Sequence, residues 1–544
     1  MVPMRTVIRR GWRVVAGAIA AMSVAASVAG CATDAGGRGD DVDEFFGFST
    51  GTELITTNAG SLAGYLSEAS ALSGRLYPSV FVEGPSGQSI PNVDVAQVQA
   101  LPGTNRKIIY TINEQATYSD GVPLTCEDFL LNVIAGQHPD QFNSHLPLTG
   151  QVDHVECNPG DKRFTVVFRE GLGARYRQLF REGTVLPSHV IAAQLGIDAA
   201  ELVRRLTSGT PEELAGIGGV WNDGFKLTAG QFNPQFQVSY GPYRIDRVTE
   251  EGAVVLAAND YYRGDPPVTV PMVIWPGDIN LEEKVTDGGV RVAEVATASA
   301  AAWVDRDDPR NQYSVQSVAG DLTEQLVINR SGALNTPERR AAFAACVDAP
   351  EVATAVSAAA GVEVKPLATR LMRANSPAQA AVQEVVAHRM TADLPAVAPL
   401  AGSTVRVAYA GADPIKAAIV ETITASCARA GVTIEDISAG FDAASVRTSP
   451  VAEQEGSLIG TAVSPGVDVL IQTMDPTLEF GASDAPAGDI GALRGVEDSL
   501  WQDVPTVPLS ATPRTFIVNK RVGNVVIGTT LSGIGWNLDR WQMQ

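Results

Sequence analysis

The sequence predicts an α/β protein of several domains built on mixed sheets, and three observations carry that reading. Beyond an N-terminal leader about 500 residues remain, enough for two or three domains. Residues 403–437 read as strand, helix, strand, which within one sheet implies parallel pairing through a right-handed crossover. Residues 152–156 and 162–170 flank Asn158-Pro159-Gly160-Asp161, an antiparallel hairpin signal. There is no internal repeat.

The leader comes first. Arg5, Arg9, Arg10 and Arg13 form a basic start with no acid, and residues 14–30 are uncharged, small and apolar. Alanine and glycine make that run too weakly hydrophobic for a permanent span. It stops at Val28-Ala29-Gly30-Cys31, a lipobox pattern. Small residues let a signal peptidase hold the chain extended, and the Cys31 thiol is the nucleophile that takes the lipid. The alternative is a signal peptide followed by a chance cysteine. Arg9-Arg10 is a faint twin-arginine signal. Residues 1–30 are therefore the expected signal peptide. Residues 31–45, rich in Gly and Asp, are a tether holding the protein through Cys31 to the outer face of the cytoplasmic membrane, in a periplasm-like space.

Removing the leader lowers the formal charge from −21 to −25, which argues against nucleic acid or an anionic membrane surface as the main partner. Four cysteines remain besides Cys31, and three pairings are open to them. In an oxidising compartment the expected pairs are Cys126–Cys157 and Cys346–Cys427, with four buried free thiols as the alternative.

Along the chain, residues 52–57 are a short strand candidate and 107–113 a better one, being β-branched. Ser119-Asp120-Gly121 is a turn. Thr125, three residues before Asp128, opens a helix carrying Phe129, Leu130, Val133 and Ile134. Helices are expected near 189–195, 201–206 and 211–214, and Gly216-Ile217-Gly218-Gly219 reads as loop. Residues 243–248 and 253–258 form a second strand pair, 272–275 another strand, and 325–329 an apolar strand leading to Thr336-Pro337, an N-cap with proline at the first helical position. The clearest unit is the last: strand 404–409, a helix with the stripe Ile415, Ile419, Ile423 and Cys427, a stop at Gly431, and strand 432–435.

Catalytic signatures are absent. The five histidines sit in unrelated contexts, and no P-loop, dinucleotide glycine pattern or nucleophile elbow is present. Asp305, Asp307 and Asp308 read as a solvated turn more readily than as a calcium site. The expectation is a non-enzyme without cofactor or metal, working as a monomer.

Several segments then align, in order, with one family. The stretch Tyr118-Ser119-Asp120-Gly121-Val122-Pro123-Leu124-Thr125-Cys126-Glu127-Asp128 resembles the aromatic-Ser-Asp-Gly-x-Pro-x-Thr-Ala-x-Asp signature of the dipeptide- and oligopeptide-type solute receptors of ABC transporters, family 5, with Cys126 where Ala is usual. Val185-Leu186-Pro187-Ser188-His189, Tyr240-Gly241-Pro242-Tyr243, Asn259-Asp260-Tyr261-Tyr262-Arg263-Gly264, Leu326-Val327-Ile328-Asn329, the helix from Arg340 to Asp348 and Pro505-Thr506-Val507-Pro508-Leu509 are similar to its later motifs. The resemblance implies a periplasmic-binding-protein type II-like fold of two hinged lobes and an inserted subdomain. Lobe I is expected at 46–75, 232–300 and 508–544, its insert at 76–231, and lobe II at 301–507. It implies capture of a peptide or similar small solute for an ABC importer's permease. A scaffold or regulatory lipoprotein that keeps the fold without transport is the alternative.

Candidate ligand residues follow from the same resemblance. In peptide-binding members an acid in the late Asp-x-x-x-Pro region pairs with the peptide ammonium. Here Gln472 takes its place by spacing, and Asp475 is the nearby acid. Each has a plainer reading, Gln472 at a strand end and Asp475 as a helix cap before Pro476. Asn58 in the first loop, Trp221 in a Gly-flanked loop and Tyr240 before the Gly-Pro-Tyr strand complete the set, against cap, packing and packing respectively.

Overall fold

Two long strands, Tyr313–Ile328 and Thr506–Asn519, run antiparallel through the whole molecule. They appear in a computed structural model that describes residues 45–85, 87–448, 462–463, 466–480 and 489–544. The expected signal peptide, Cys31 and nearly all of the tether lie outside the described residues.

The pair is the spine of a ten-stranded mixed sheet. On one side follow Val469–Met474, Thr404–Ala408 and Thr433–Asp436; on the other follow Val292–Val295, Phe46–Ser49, Met272–Trp275, Val254–Ala258 and Tyr243–Val248. The first group belongs to lobe II and the second to lobe I. Residues 313–319 pair with 513–519, the register then slips, and pairing resumes from Thr323 opposite Ala511. The slip occurs at Gly320, where a Cβ would come within 2.3 Å of the Thr512 carbonyl oxygen, so the strands cross this closely only because the residue is glycine. This is the hinge region.

Ala301, Val304, Tyr313 and Val315, assigned to lobe II from sequence, pack with Val273, Trp275 and Ile517 on the lobe I side of the slip. Only the lobe II ends of the two long strands were visible in sequence, because Gly320-Asp321 interrupts the apolar pattern. The first strand is also displaced. Phe46–Ser49 pairs with Met272–Trp275, whereas 52–57 contributes only an isolated bridge from Thr56 to Lys226.

In lobe II the strand–helix–strand unit is parallel, Thr404–Ala408 to Thr433–Asp436, joined by the helix Pro414–Ala428. Ile415, Ile419, Ile423 and Cys427 are all buried, and Cys427 is bonded to Cys346 at the end of the helix Pro337–Cys346. The inserted subdomain has its own four-stranded sheet, whose strands Lys107–Ile112 and Arg163–Phe168 form the centre. Tyr110, Phe129, Phe164 and Phe180 interlock there, with Tyr110 stacked on Phe164 at 4.8 Å. Cys126, at the start of the helix Cys126–Gln137, is bonded to Cys157. The disulfides close separations of 81 and 31 residues. In the chain-entropy account, removing Cys346–Cys427 costs about 4–5 kcal/mol and removing Cys126–Cys157 about 3–4 kcal/mol. Calorimetry of the two paired Cys→Ala variants is expected to show the larger loss for the first.

Candidate ligand-binding cleft

The two lobes face each other across a cleft on one side of the hinge strands. The cleft is shut by the protein's own side chains. Tyr65 donates its hydroxyl to Glu479 Oε1 at 2.7 Å, and His145 Nε2 lies 2.8 Å from the same oxygen. Glu479 is fully buried and ends the short helix Pro476–Glu479 of lobe II, whereas Tyr65 and His145 come from lobe I and its insert. The Tyr65 hydroxyl is pushed well up from its ordinary range, by burial and then by the adjacent Glu479 carboxylate. Arg175 donates to the Thr477 carbonyl at 2.6 Å and Asn143 to the Val446 carbonyl at 3.0 Å. Leu62 meets Val446 and Leu470 in a small apolar cluster that also crosses the cleft.

Beside these contacts sits a latch. Arg373 of lobe II reaches Asp475 at 2.5 Å and also pairs with Glu83 of the insert. Asp475 is buried, and its Oδ1 accepts from the Thr477 backbone and hydroxyl, so it is both helix cap and ion-pair partner. Burial opposes its charge, but the Arg373 guanidinium prevails and holds the Asp475 carboxyl below the usual range. Glu83 shares the same cation less favourably. Burial pushes it up to about 7, against the pull of Arg373 and with the neighbouring Asp475 adding to the rise. The folded protein therefore binds a proton at Glu83 that the unfolded chain releases at lower pH. Stability from this group is present at low pH and is lost as pH rises from the ordinary carboxylate range to about 7. Glu83→Gln is expected to flatten that part of a melting-temperature profile between pH 4 and 8; an unchanged slope would count against this origin.

Two cavities border the latch and the hinge. The smaller, about 30 Å³, is lined by Glu83, Arg181, Arg373 and Asp475. The larger, about 220 Å³, lies at the hinge and draws its lining from both lobes: Thr50, Glu68 and Glu294 from lobe I, and Glu324, Lys416 and Thr473 from lobe II. Arg514 on the hinge strand ties Glu294 to Glu68, the latter at 2.8 Å. Lys416 pairs with Asp413 at 2.6 Å. Glu324 is 1% exposed, and its Oε1 accepts from the Thr473 and Thr512 hydroxyls at 2.9 Å each.

Of the sequence-chosen residues, Asp475 lines the smaller of these two cavities. Asn58 is fully buried; its Oδ1 accepts from the Gly60 and Ser61 amides and its Nδ2 donates to the Trp221 carbonyl, so it braces a loop. Trp221 is on a helix, Pro211–Asp223, not in a loop, and packs edge-on against Phe142. Its helix runs through the Gly216–Gly219 cluster because Thr210 and Glu213 cap it reciprocally and the apolar positions Leu214, Ile217 and Trp221 share a face. Tyr240 donates to the Asp94 carbonyl at 2.6 Å and packs between Tyr118 and Tyr262. Gln472 is buried mid-strand opposite Gln325. Asn58 and Tyr240 thus brace the framework, while Trp221 Nε1 and Gln472 Nε2 are buried with no hydrogen-bond partner. The residues missed were Tyr65, Glu83, His145, Glu324, Arg373 and Glu479, none of which stands in a recognisable motif.

This architecture has relatives. Residues 103–468 match the bacterial extracellular solute-binding proteins, family 5, middle region. The chain belongs to that family. A Mycobacterium tuberculosis protein described as an uncharacterized lipoprotein is 29% identical over 526 residues, spanning 90% of this chain and 91% of its own. A counterpart in Mycobacterium leprae is 29% identical over 525 residues, spanning 90% and 92%. Among solved structures, a periplasmic EDTA-binding protein is similar with a TM-score of 0.65 at 15% identity, over 92% of this chain and 96% of that one. The oligopeptide-binding protein AppA of Bacillus subtilis, in complex with a nonapeptide, is similar with a TM-score of 0.63 at 10% identity, over 92% and 98%. This family 5 protein thus has the type II periplasmic-binding-protein fold, with two lobes and an extra subdomain.

Proposed function

We propose that this family 5 protein is a lipid-anchored receptor that traps a small solute between its lobes and delivers it to the permease of an ABC importer. The observation that supports this is the hinge-side cavity, lined from both lobes, at the place where closure would bury a ligand. Relatives of the same fold are described in complex with a nonapeptide and with Ni(L-His), so the family's cleft admits varied cargo. In this chain the place of a peptide ammonium beside Asp475 is filled by Arg373, which favours a solute smaller than a peptide. The protein performs no bond chemistry in this reading; capture is a population shift toward the closed form. Cys31 anchors it outside the cytoplasmic membrane.

The test is native mass spectrometry of the mature protein after secretion, with melting shifts against peptide, amine, sugar and metal pools. A co-purifying small solute that raises the melting temperature supports the reading. No bound species and no shift with any pool sinks it. Lipid anchoring is checked separately, since Cys31→Ala would release the protein from membranes.

One observation favours a second reading, a scaffold or regulatory lipoprotein without transport. The Arg373 latch joins lobe II to the insert through the protein's own side chains. In that case X-ray scattering would show the ligand-free protein permanently closed and indifferent to every pool.

A further inference from the structure

We propose that the hinge-side cavity is built for a small organic cation, a solute carrying a protonated amine, with Glu324 as its counter-ion. This inference rests on the solute-receptor reading and names the class of solute.

The charge census of the cavity comes first. Glu53, Glu68, Asp278, Glu294, Glu324 and Asp413 line it, against Lys416 and Arg514 alone. Both cations are already committed: Arg514 to Glu68 and Glu294, Lys416 to Asp413. Asp413 also accepts from the Ile415 and Lys416 amides, so the N-terminus of the helix Pro414–Ala428 is capped and offers little to an anion. An anionic solute would enter a field of uncompensated carboxylates.

Glu324 supplies the second, independent observation. Its Oε1 takes both neighbouring hydroxyls, and its Oε2 is buried with no hydrogen-bond partner. A buried acceptor left unmet is costly, and a buried carboxylate is stabilised above all by a donor that carries positive charge. An ammonium at Oε2 meets both needs. The cavity, about 220 Å³, is smaller than the roughly 300–1,000 Å³ of sites for drug-sized ligands.

Protonation supports the same picture. Burial pushes the Glu324 carboxyl up, with Lys416 pulling it down and Asp413 adding to the rise. The other charged groups lining the cavity are Glu53, Glu68, Asp278, Glu294 on the strand Val292–Val295 and Arg514 on the hinge strand. An arriving ammonium favours the ionised carboxylate, so raising the pH does not weaken binding until the amine itself loses its proton.

The experiment is titration calorimetry of the mature protein with methylammonium, putrescine, agmatine and choline, beside acetamide and acetate. At least one amine is expected to bind, and Glu324→Gln to weaken it by about 30-fold or more. Glutamine keeps the acceptor for Thr473 and Thr512, so the variant's melting temperature reports that it folds. Amines that bind both proteins alike overturn the assignment. If only neutral or anionic solutes bind, the inference fails while the receptor reading stands. If nothing binds, from these probes or from a metabolite extract, both fail.

Discussion

Arg373→Met is expected to unlatch the lobes. The substitution leaves Asp475, 2% exposed, without its cation, and leaves Glu83 facing a second carboxylate across the cleft. Removing one partner of a buried ion pair costs about 3–5 kcal/mol, because the remaining charge is desolvated and unpaired. Here the molecule has an escape: opening the cleft rehydrates both acids. The variant should therefore show a larger radius of gyration by X-ray scattering and a weaker cooperative melt. The pH dependence changes sign at Asp475. In wild type its folded pKa lies below the unfolded value, so it stabilises at neutral pH and that contribution is lost as pH falls through the folded pKa. Without Arg373 the buried carboxyl shifts upward instead, and stability from it declines as pH rises. Identical scattering and an identical melting profile between pH 3 and 8 would refute the latch.

Glu497→Ala is expected to produce a large loss of folding stability, confined to lobe II. Arg370 and Glu497 pair at 2.8 Å with neither side chain exposed. Burial works against both charges, pushing Glu497 up and Arg370 down, each offset by its partner. Arg370 also donates to the Thr506 carbonyl and hydroxyl at 3.1 Å, stands 4.1 Å from the Trp501 ring, and receives a Glu497 oxygen on its own backbone amide at 2.8 Å. Truncating Glu497 strands a guanidinium in the core at a cost of about 3–5 kcal/mol. The paired change Arg370→Met with Glu497→Leu should recover most of it, since no buried charge is then left unpaired. Differential scanning calorimetry of the three proteins decides the matter: equal melting of Glu497→Ala and wild type would show that the pair carries no such weight.

Much of the framework was legible along the chain. The Ser-Asp-Gly turn needs its glycine, since Gly121 has φ of +89°, and Thr125 with Asp128 forms the capping box that starts the following helix. The four-residue stripe on the helix Pro414–Ala428 points inward as its spacing requires. These are short-range patterns, and short-range physics writes them. Trp221 escaped because glycines in a helix look like loop when the reciprocal cap at Thr210 goes unnoticed.

The cleft was hardly legible at all, and the reason is distance. Arg373 and Glu83 are 290 positions apart, and His145 and Glu479 are 334 apart. Each is an ordinary charged or polar residue in an undistinguished segment, given meaning only when the hinge strands bring separate lobes together. The sequence by itself determined most of the local elements and, through ordered motifs, the receptor family. Only the tertiary structure decided which carboxylates are buried, which are already paired, and that one Glu324 oxygen is buried with no hydrogen-bond partner. Burial and pairing depend on segments that meet in space, and no local pattern of residues encodes that meeting.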